Sequence, residues 1–165
     1  MTTDLRAYRT LVLEGCDGAG KSTLAARLAD RHGFRIIHSP RTPDSFDLIT
    51  RYREILTLPG RLILDRCFIS ELVYGPLYRD SCRITWAEAR DLAKAVTDRD
   101  GVLCHLTAPP EIIRTRLMAR DGEAPPHAQV AALLAGYSSV FQRLGEHVPV
   151  ITLQAAAGDE TSPSG

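Results

Sequence analysis

A chain of 165 residues is long enough for one compact domain with a proper core and too short for two. Its 20 basic residues, most of them arginine, balance 20 acidic ones, and a formal net charge of zero gives no general support to a nucleic-acid scaffold. No apolar run approaches membrane-spanning length and Met1-Thr2-Thr3-Asp4 lacks the regions of a signal peptide, so a soluble, cytoplasmic protein without a membrane partner is expected. Cys16, Cys67, Cys82 and Cys104 form no C-x-x-C pair, which fits reduced thiols better than a disulfide frame.

The first apolar run predicts a strand at 9–14. It leads into Gly15-Cys16-Asp17-Gly18-Ala19-Gly20-Lys21-Ser22, which satisfies G-x-x-x-x-G-K-[ST], and then into a helical pattern over 21–32 opening with Thr23-Leu24-Ala25. Strand, glycine-rich loop and helix in that order are what a phosphate-binding loop needs. The glycines let the backbone turn tightly and aim its amides at a phosphate, and the helix adds its positive end. Gly15 to Thr23 are therefore expected to hold a nucleoside triphosphate, with Lys21 on the outer phosphates and Ser22 ligating Mg²⁺. Gly33 sits where a helix C-terminal cap belongs, just before a second strand at 34–38.

A helix is expected near 44–58, a third strand at 61–65 and a helix at 67–78. Thr85-Trp86-Ala87-Glu88 has capping-box spacing and opens a helix over 85–99. A fourth strand at 101–107, helices at 109–120 and 127–145, and a fifth strand at 148–153 complete the pattern. Short apolar runs alternating with helices predict an α/β fold: a five-stranded parallel sheet with helices on both faces. One domain built around the phosphate-binding loop is expected over 1–154, with a small lid at about 114–127. The small polar residues of 155–165 predict a disordered tail.

Three further groups of residues suggest chemistry. Leu62-Ile63-Leu64-Asp65 is an apolar strand ending in a carboxylate, where an acid near the Mg²⁺ shell belongs, and Arg66 follows at the same strand end. On the next helix Ser70 and Tyr74 lie four residues apart and share a face, with Glu71 between them, so one pocket beside Arg66 is expected. Arg114, Arg116 and Arg120 run into Asp121-Gly122-Glu123-Ala124-Pro125-Pro126, a pattern suited to a lid carrying cations over a transferring phosphoryl group. Arg41, after the second strand, is placed to grip an acceptor's phosphate or sugar. The five histidines show no metal-ligand spacing.

Together these residues resemble the thymidylate kinase family of nucleoside monophosphate kinases. Glu14 to Thr23 looks like that family's E-G-x-D-G-A-G-K-[ST]-T, and Asp65-Arg66-Cys67-Phe68-Ile69-Ser70 with Tyr74 is similar to its D-R-[YFH]-x-x-S-x-x-A-Y. Leu106 to Glu111, ahead of Arg114, is similar to its fourth strand and lid helix. Asp65 to Tyr78, with Gly75-Pro76 and then Arg83-Ile84, looks closer still to short phage-encoded deoxynucleotide kinases. The resemblance implies ATP and Mg²⁺ as donor and cofactor, and phosphoryl transfer onto a nucleotide phosphate, with dTMP or a modified pyrimidine deoxynucleotide first. It implies that Asp17 contacts the acceptor sugar, Arg66 its phosphate and Tyr74 the deoxyribose and base, with Arg114 on the ATP side. Lys21, Asp65, Arg66, Arg116 and Arg120 would be the catalytic set. Cys67 stands where the family has an aromatic residue or His, Gly75 where Gln is frequent, and Glu71 adds a carboxylate by the base site.

Two other functions stay open at this level. One is a kinase for the hydroxyl of 5-hydroxymethyluridine in DNA, with Glu71 or Asp65 as base. The other is a catalytically inactive nucleotide-binding regulator. A homodimer is also left open.

Overall fold

The structure is a computed structural model that describes residues 4–38 and 45–154; Arg41 and the expected tail at 155–165 lie outside the described residues. Along the strand Thr10–Glu14 (β1), alternation of side chains divides the interior in two. Leu11 and Leu13 enter one core, while Val12 enters the other, larger one. Glu14, two residues on from Val12, follows it to that larger side and is wholly buried.

The other strands are Arg35–His38 (β2), Leu62–Asp65 (β3), Gly101–Thr107 (β4) and Val150–Gln154 (β5), in the spatial order β2-β3-β1-β4-β5. Every pairing is parallel. The helices are Lys21–His32 (α1), Leu48–Leu56 (α2), Phe68–Tyr78 (α3), Trp86–Asp98 (α4), Pro110–Asp121 (α5) and His127–Gly145 (α6). The smaller core lies under α1, with Ala25 and Leu28 against Leu11, Leu13 and Ile63; α2, α3, α4 and α6 cover the larger core. The expected five-stranded parallel α/β architecture is therefore present. None of the helices among the described residues is long and apolar enough to cross a membrane.

Element boundaries follow local hydrogen bonding. Gly33 caps α1 in the left-handed region at φ 69°, and Thr85 and Glu88 form the reciprocal capping box of α4. The helix expected over 44–58 starts later, at Leu48, because the Asp47 carboxylate accepts from the amides of Ile49 and Thr50 and so caps it there. The last strand starts at Val150 and not at 148: Val148 N–H still bonds to Leu144 O, and Pro149 has no N–H to offer.

Register sets out the strand ends that matter. Leu13 and His38 both pair with Asp65, and Glu14 pairs with His105, so these residues line up at the carboxyl edge of the sheet. The chain turns from the β2–β3 side to the β4–β5 side around β1, which places a crevice at that edge. Several arginines lie at the opposite edge. Arg99 donates to Thr10 Oγ1 at 2.8 Å and to the carbonyls of Leu56, Leu58 and Gly60; Arg61 donates to the carbonyls of Arg6, Tyr8 and His32. Part of the arginine excess thus ties loops together and has no part in the crevice.

Candidate active site

Gly15 leaves β1 where no side chain fits: a Cβ there would lie 2.1 Å from Leu106 O. The loop closes with Ala19 N–H on Cys16 O at 3.1 Å, and Gly20 precedes α1 at φ 97° without a side-chain cap. The first amides of α1 are therefore available to an anion in front of the helix. Lys21 is buried and its Nζ donates to Gly15 O at 2.6 Å and Cys16 O at 3.1 Å, inside the loop. Burial lowers its pKa below the usual lysine value, and the Glu14 and Asp65 carboxylates oppose that shift.

Asp65 Oδ2 accepts from Ser22 Oγ at 3.3 Å and lies 3.1 Å from His38 Nδ1. A hydroxyl and a carboxylate side by side suit a hard divalent cation, which takes oxygen ligands. Among the described residues no group of three or more His, Cys, Asp or Glu forms a metal cage. Mg²⁺ suits such a sparse donor set, because it keeps waters and phosphate oxygens in its shell.

Arg66 follows Asp65 with a left-handed backbone, φ 65°, which a non-glycine residue adopts only when its surroundings enforce it. The enforcement is visible. Arg66 N–H bonds to Leu13 O at 3.1 Å, and Glu14 then takes the next two free amides: Oε1 accepts from Cys67 N at 2.6 Å and Ser70 N at 3.1 Å. Glu14 Oε2 accepts from Ser70 Oγ at 2.6 Å, and the Tyr137 hydroxyl stands 3.1 Å from that Oγ. Burial raises the Glu14 carboxyl above the ordinary glutamate value, opposed by the Ser70 and Cys67 hydrogen bonds and by Lys21. Burial likewise pushes the Tyr137 phenol far up. Arg66 is thereby turned into the crevice, where its guanidinium contacts the Asp17 carboxylate.

A cleft of about 640 Å³ opens beside this pair, within the usual size range of small-molecule sites. Cys16 and Asp17 line it together with an apolar set that includes Tyr74, Tyr78, Leu117, Val130 and Leu133, and Arg120, Asp121, Glu123 and Gln129 are among its polar residues. Tyr74 and Tyr78 stack at 5.6 Å, and Gln129 Nε2 donates to the Tyr78 hydroxyl at 3.0 Å.

The structure brings together Gly15 to Ser22, Asp65, Arg66 and Tyr74, with Thr23 exposed on the first turn of α1. Arg116 reaches the loop, its Nη1 donating to Gly18 O at 3.1 Å, and Arg120 lines the cleft while pairing bidentately with Asp121 at 2.8 Å. Three expected contacts are replaced. Ser70 is held inward by Glu14 and buttresses the Arg66 turn from below. Glu71 accepts from the Arg83 amide at 2.8 Å and pairs with Arg79 at 2.6 Å, so it braces the α3–α4 connection outside the cleft. Arg114 donates to Pro125 O at 3.0 Å and His127 Nε2 at 2.7 Å, tethering the α5–α6 connection. The stretch expected as a lid is helix to Asp121, with only 122–126 between α5 and α6. Glu14, Tyr137, Tyr78 and Gln129 enter the site from the structure, and Glu123 enters it from the segment expected as a lid. Of the first four only Glu14 had a signal in the sequence: a charged residue closing an apolar strand must be paired if it is buried.

No family model matches the chain, and no curated protein matches it in sequence. Solved structures do match. The YorR protein from Bacillus subtilis, in complex with phosphorylated GDP, is 24% identical with a TM-score of 0.73 over 92% of this chain and 88% of its own. Deoxyadenosine kinase from M. mycoides with bound dCTP is 16% identical with a TM-score of 0.61, covering 92% and 93%. Shikimate kinase from Acinetobacter baumannii in complex with shikimate is 18% identical with a TM-score of 0.54, covering 93% and 87%. The fold is that of the P-loop kinases.

Proposed function

We propose that this chain transfers the terminal phosphoryl group of ATP to the phosphate of a deoxynucleoside monophosphate. The observation behind this reading is that Arg66, forced into a left-handed backbone, points into the same crevice as the phosphate loop and meets Asp17 there. An arginine held at such a cost, opposite a triphosphate site, suits a second phosphate better than a neutral hydroxyl substrate. Glu71, a candidate base for a hydroxyl acceptor, is engaged outside the cleft by Arg79 and the Arg83 amide. The nucleotides in the YorR and deoxyadenosine kinase structures support a nucleotide ligand.

Phosphoryl transfer asks for positioning and charge stabilisation more than for covalent chemistry. The loop amides and the N-terminus of α1 would hold the triphosphate, and Lys21 would swing from its carbonyl partners onto the outer phosphates. Ser22 and Asp65 would hold Mg²⁺, whose contribution is to neutralise charge on the phosphate oxygens. Arg66 would exchange Asp17 for the acceptor phosphate, leaving Asp17 to accept from the sugar hydroxyl. Arg116 and Arg120 would meet the charge that develops during transfer. The motif resemblance implies dTMP, but none of these groups depends on the base, so the reading covers the monophosphate class. A coupled ADP-release assay tests it. ADP formation from ATP is expected to rise with added deoxynucleoside monophosphate; a rate that none of them raises would contradict the reading.

A further inference from the structure

We propose that the cleft selects a monophosphate whose base carries an exocyclic amino group, and that Glu123 is the residue that imposes the choice. This selectivity presupposes the nucleotide-acceptor role of the cleft. Three carboxylates line it: Asp17, Asp121 and Glu123. Asp17 is taken by Arg66 and Asp121 by Arg120. Glu123 alone of the three has no hydrogen-bond or ion-pair partner among the described residues.

Its position is built. Gly122 ends α5 with its N–H on Met118 O at 3.0 Å, and Arg114 pins the far side through Pro125 O and His127. Glu123 therefore belongs to a short segment fixed at both ends on the rim of the cleft. Gln129 and Tyr78 also line the cleft; the Gln129 amide donates to the Tyr78 hydroxyl, which orients its carbonyl oxygen away from that bond. With Asp17 and Arg66 handling sugar and phosphate, the base falls toward the tyrosine wall and this rim.

A carboxylate only accepts hydrogen bonds, whereas an amide and a hydroxyl do both. Glu123 is thus the group that discriminates, while Gln129 and Tyr78 adapt. Thymine and uracil offer a single N–H flanked by two carbonyl oxygens, which a carboxylate repels. Cytosine, adenine and guanine present an amino group whose N–H bonds suit it, and guanine adds an adjacent ring N–H for a two-point contact. A matched hydrogen-bonding pair of this kind discriminates between bases by about tenfold to a hundredfold.

The test is kcat/KM for dGMP, dAMP, dCMP, dTMP and dUMP with ATP and Mg²⁺ on the full chain, repeated with Glu123→Gln. At least one amino-bearing monophosphate is expected to exceed dTMP and dUMP about tenfold or more. Glu123→Gln is expected to shrink that ratio about tenfold through the acceptor KM, with the KM for ATP unmoved. Because Glu123 is exposed, the variant keeps the fold. Equal or better use of dTMP, or a ratio that Glu123→Gln leaves unchanged, overturns the selectivity while leaving the kinase reading intact. No stimulation by any monophosphate overturns both.

Discussion

The two walls of the crevice at the carboxyl edge of the sheet are built differently. On the sheet side, Lys21, Glu14 and Asp65 are buried, and Glu14 holds the Arg66 turn through three hydrogen bonds of 2.6–3.1 Å. On the helical side, Arg116 rests on the Gly18 carbonyl, and the exposed Arg120 and Asp121 pair with each other. The first wall is held by internal hydrogen bonds to buried groups. The second holds its cations on partners that a phosphate can displace, because exposed ion pairs are worth only about 0–1 kcal/mol. A site divided this way keeps its geometry in the hydrogen-bonded half and its displaceable cations in the other.

Breaking the hydrogen-bonded half should cost most. Lys21→Ala removes the cation proposed to act on the outer phosphates and is expected to lower kcat by about a thousandfold or more, with the urea midpoint close to the parent's. Turnover near the parent value would remove Lys21 from the site. Glu14→Leu leaves three buried donors without an acceptor and should cost about 3 kcal/mol or more of stability in urea unfolding. Glu14→Gln keeps an acceptor for the two amides and should recover most of that loss. If Leu and Gln behave alike, the turn is held by something other than these bonds.

The helical half should respond in kinetics alone. Arg116→Ala and Arg120→Ala are each expected to lower kcat about tenfold to a hundredfold while the KM for ATP moves less, since on the proposed reading they would meet charge that develops chiefly in the transition state. Weaker ATP binding with kcat unchanged in both would make them ground-state contacts.

The smallest effect lies outside both walls. His105 stacks on Phe141 at 4.6 Å with its Nε2 buried and without a hydrogen-bond partner among the described residues, and burial lowers its pKa below the ordinary histidine value. Below that ordinary value the unfolded chain takes up a proton that the folded chain refuses. Stability is therefore full above it and falls as pH drops toward the folded pKa. His105→Phe, which keeps the stacking, should flatten the acid side of a stability–pH curve between about 7 and 5. An unchanged slope would show that His105 does not set it.

The contrast between the walls also decides what the sequence made legible. The phosphate loop, the Asp65-Arg66 pair and the strand–helix alternation are local patterns with a fixed period or spacing, and each appears where expected. Ser70, Glu71 and Arg114 were assigned by proximity to a motif, which does not say which way a side chain turns. Ser70 turned to Glu14, Glu71 to Arg79, and Arg114 to Pro125, because each met a buried or main-chain partner formed only by tertiary contact. Gly75, a departure from the family pattern, has a plain cause: a Cβ there would lie 2.5 Å from Ser81 O. Gln129 carries no local signal and becomes a site residue only because α3 and α6 face each other.

The account stands on Arg66 as the grip on an acceptor phosphate. Its most direct test is the KM for the monophosphate in Arg66→Ala and Arg66→Lys, measured at saturating ATP. A rise of about a hundredfold is expected for Ala, with poor rescue by Lys because the two-pronged contact is lost, and with little change in the KM for ATP. A monophosphate KM within about twofold of the parent in both variants would contradict it, because an arginine bound to that phosphate in two hydrogen bonds cannot be removed at so small a cost.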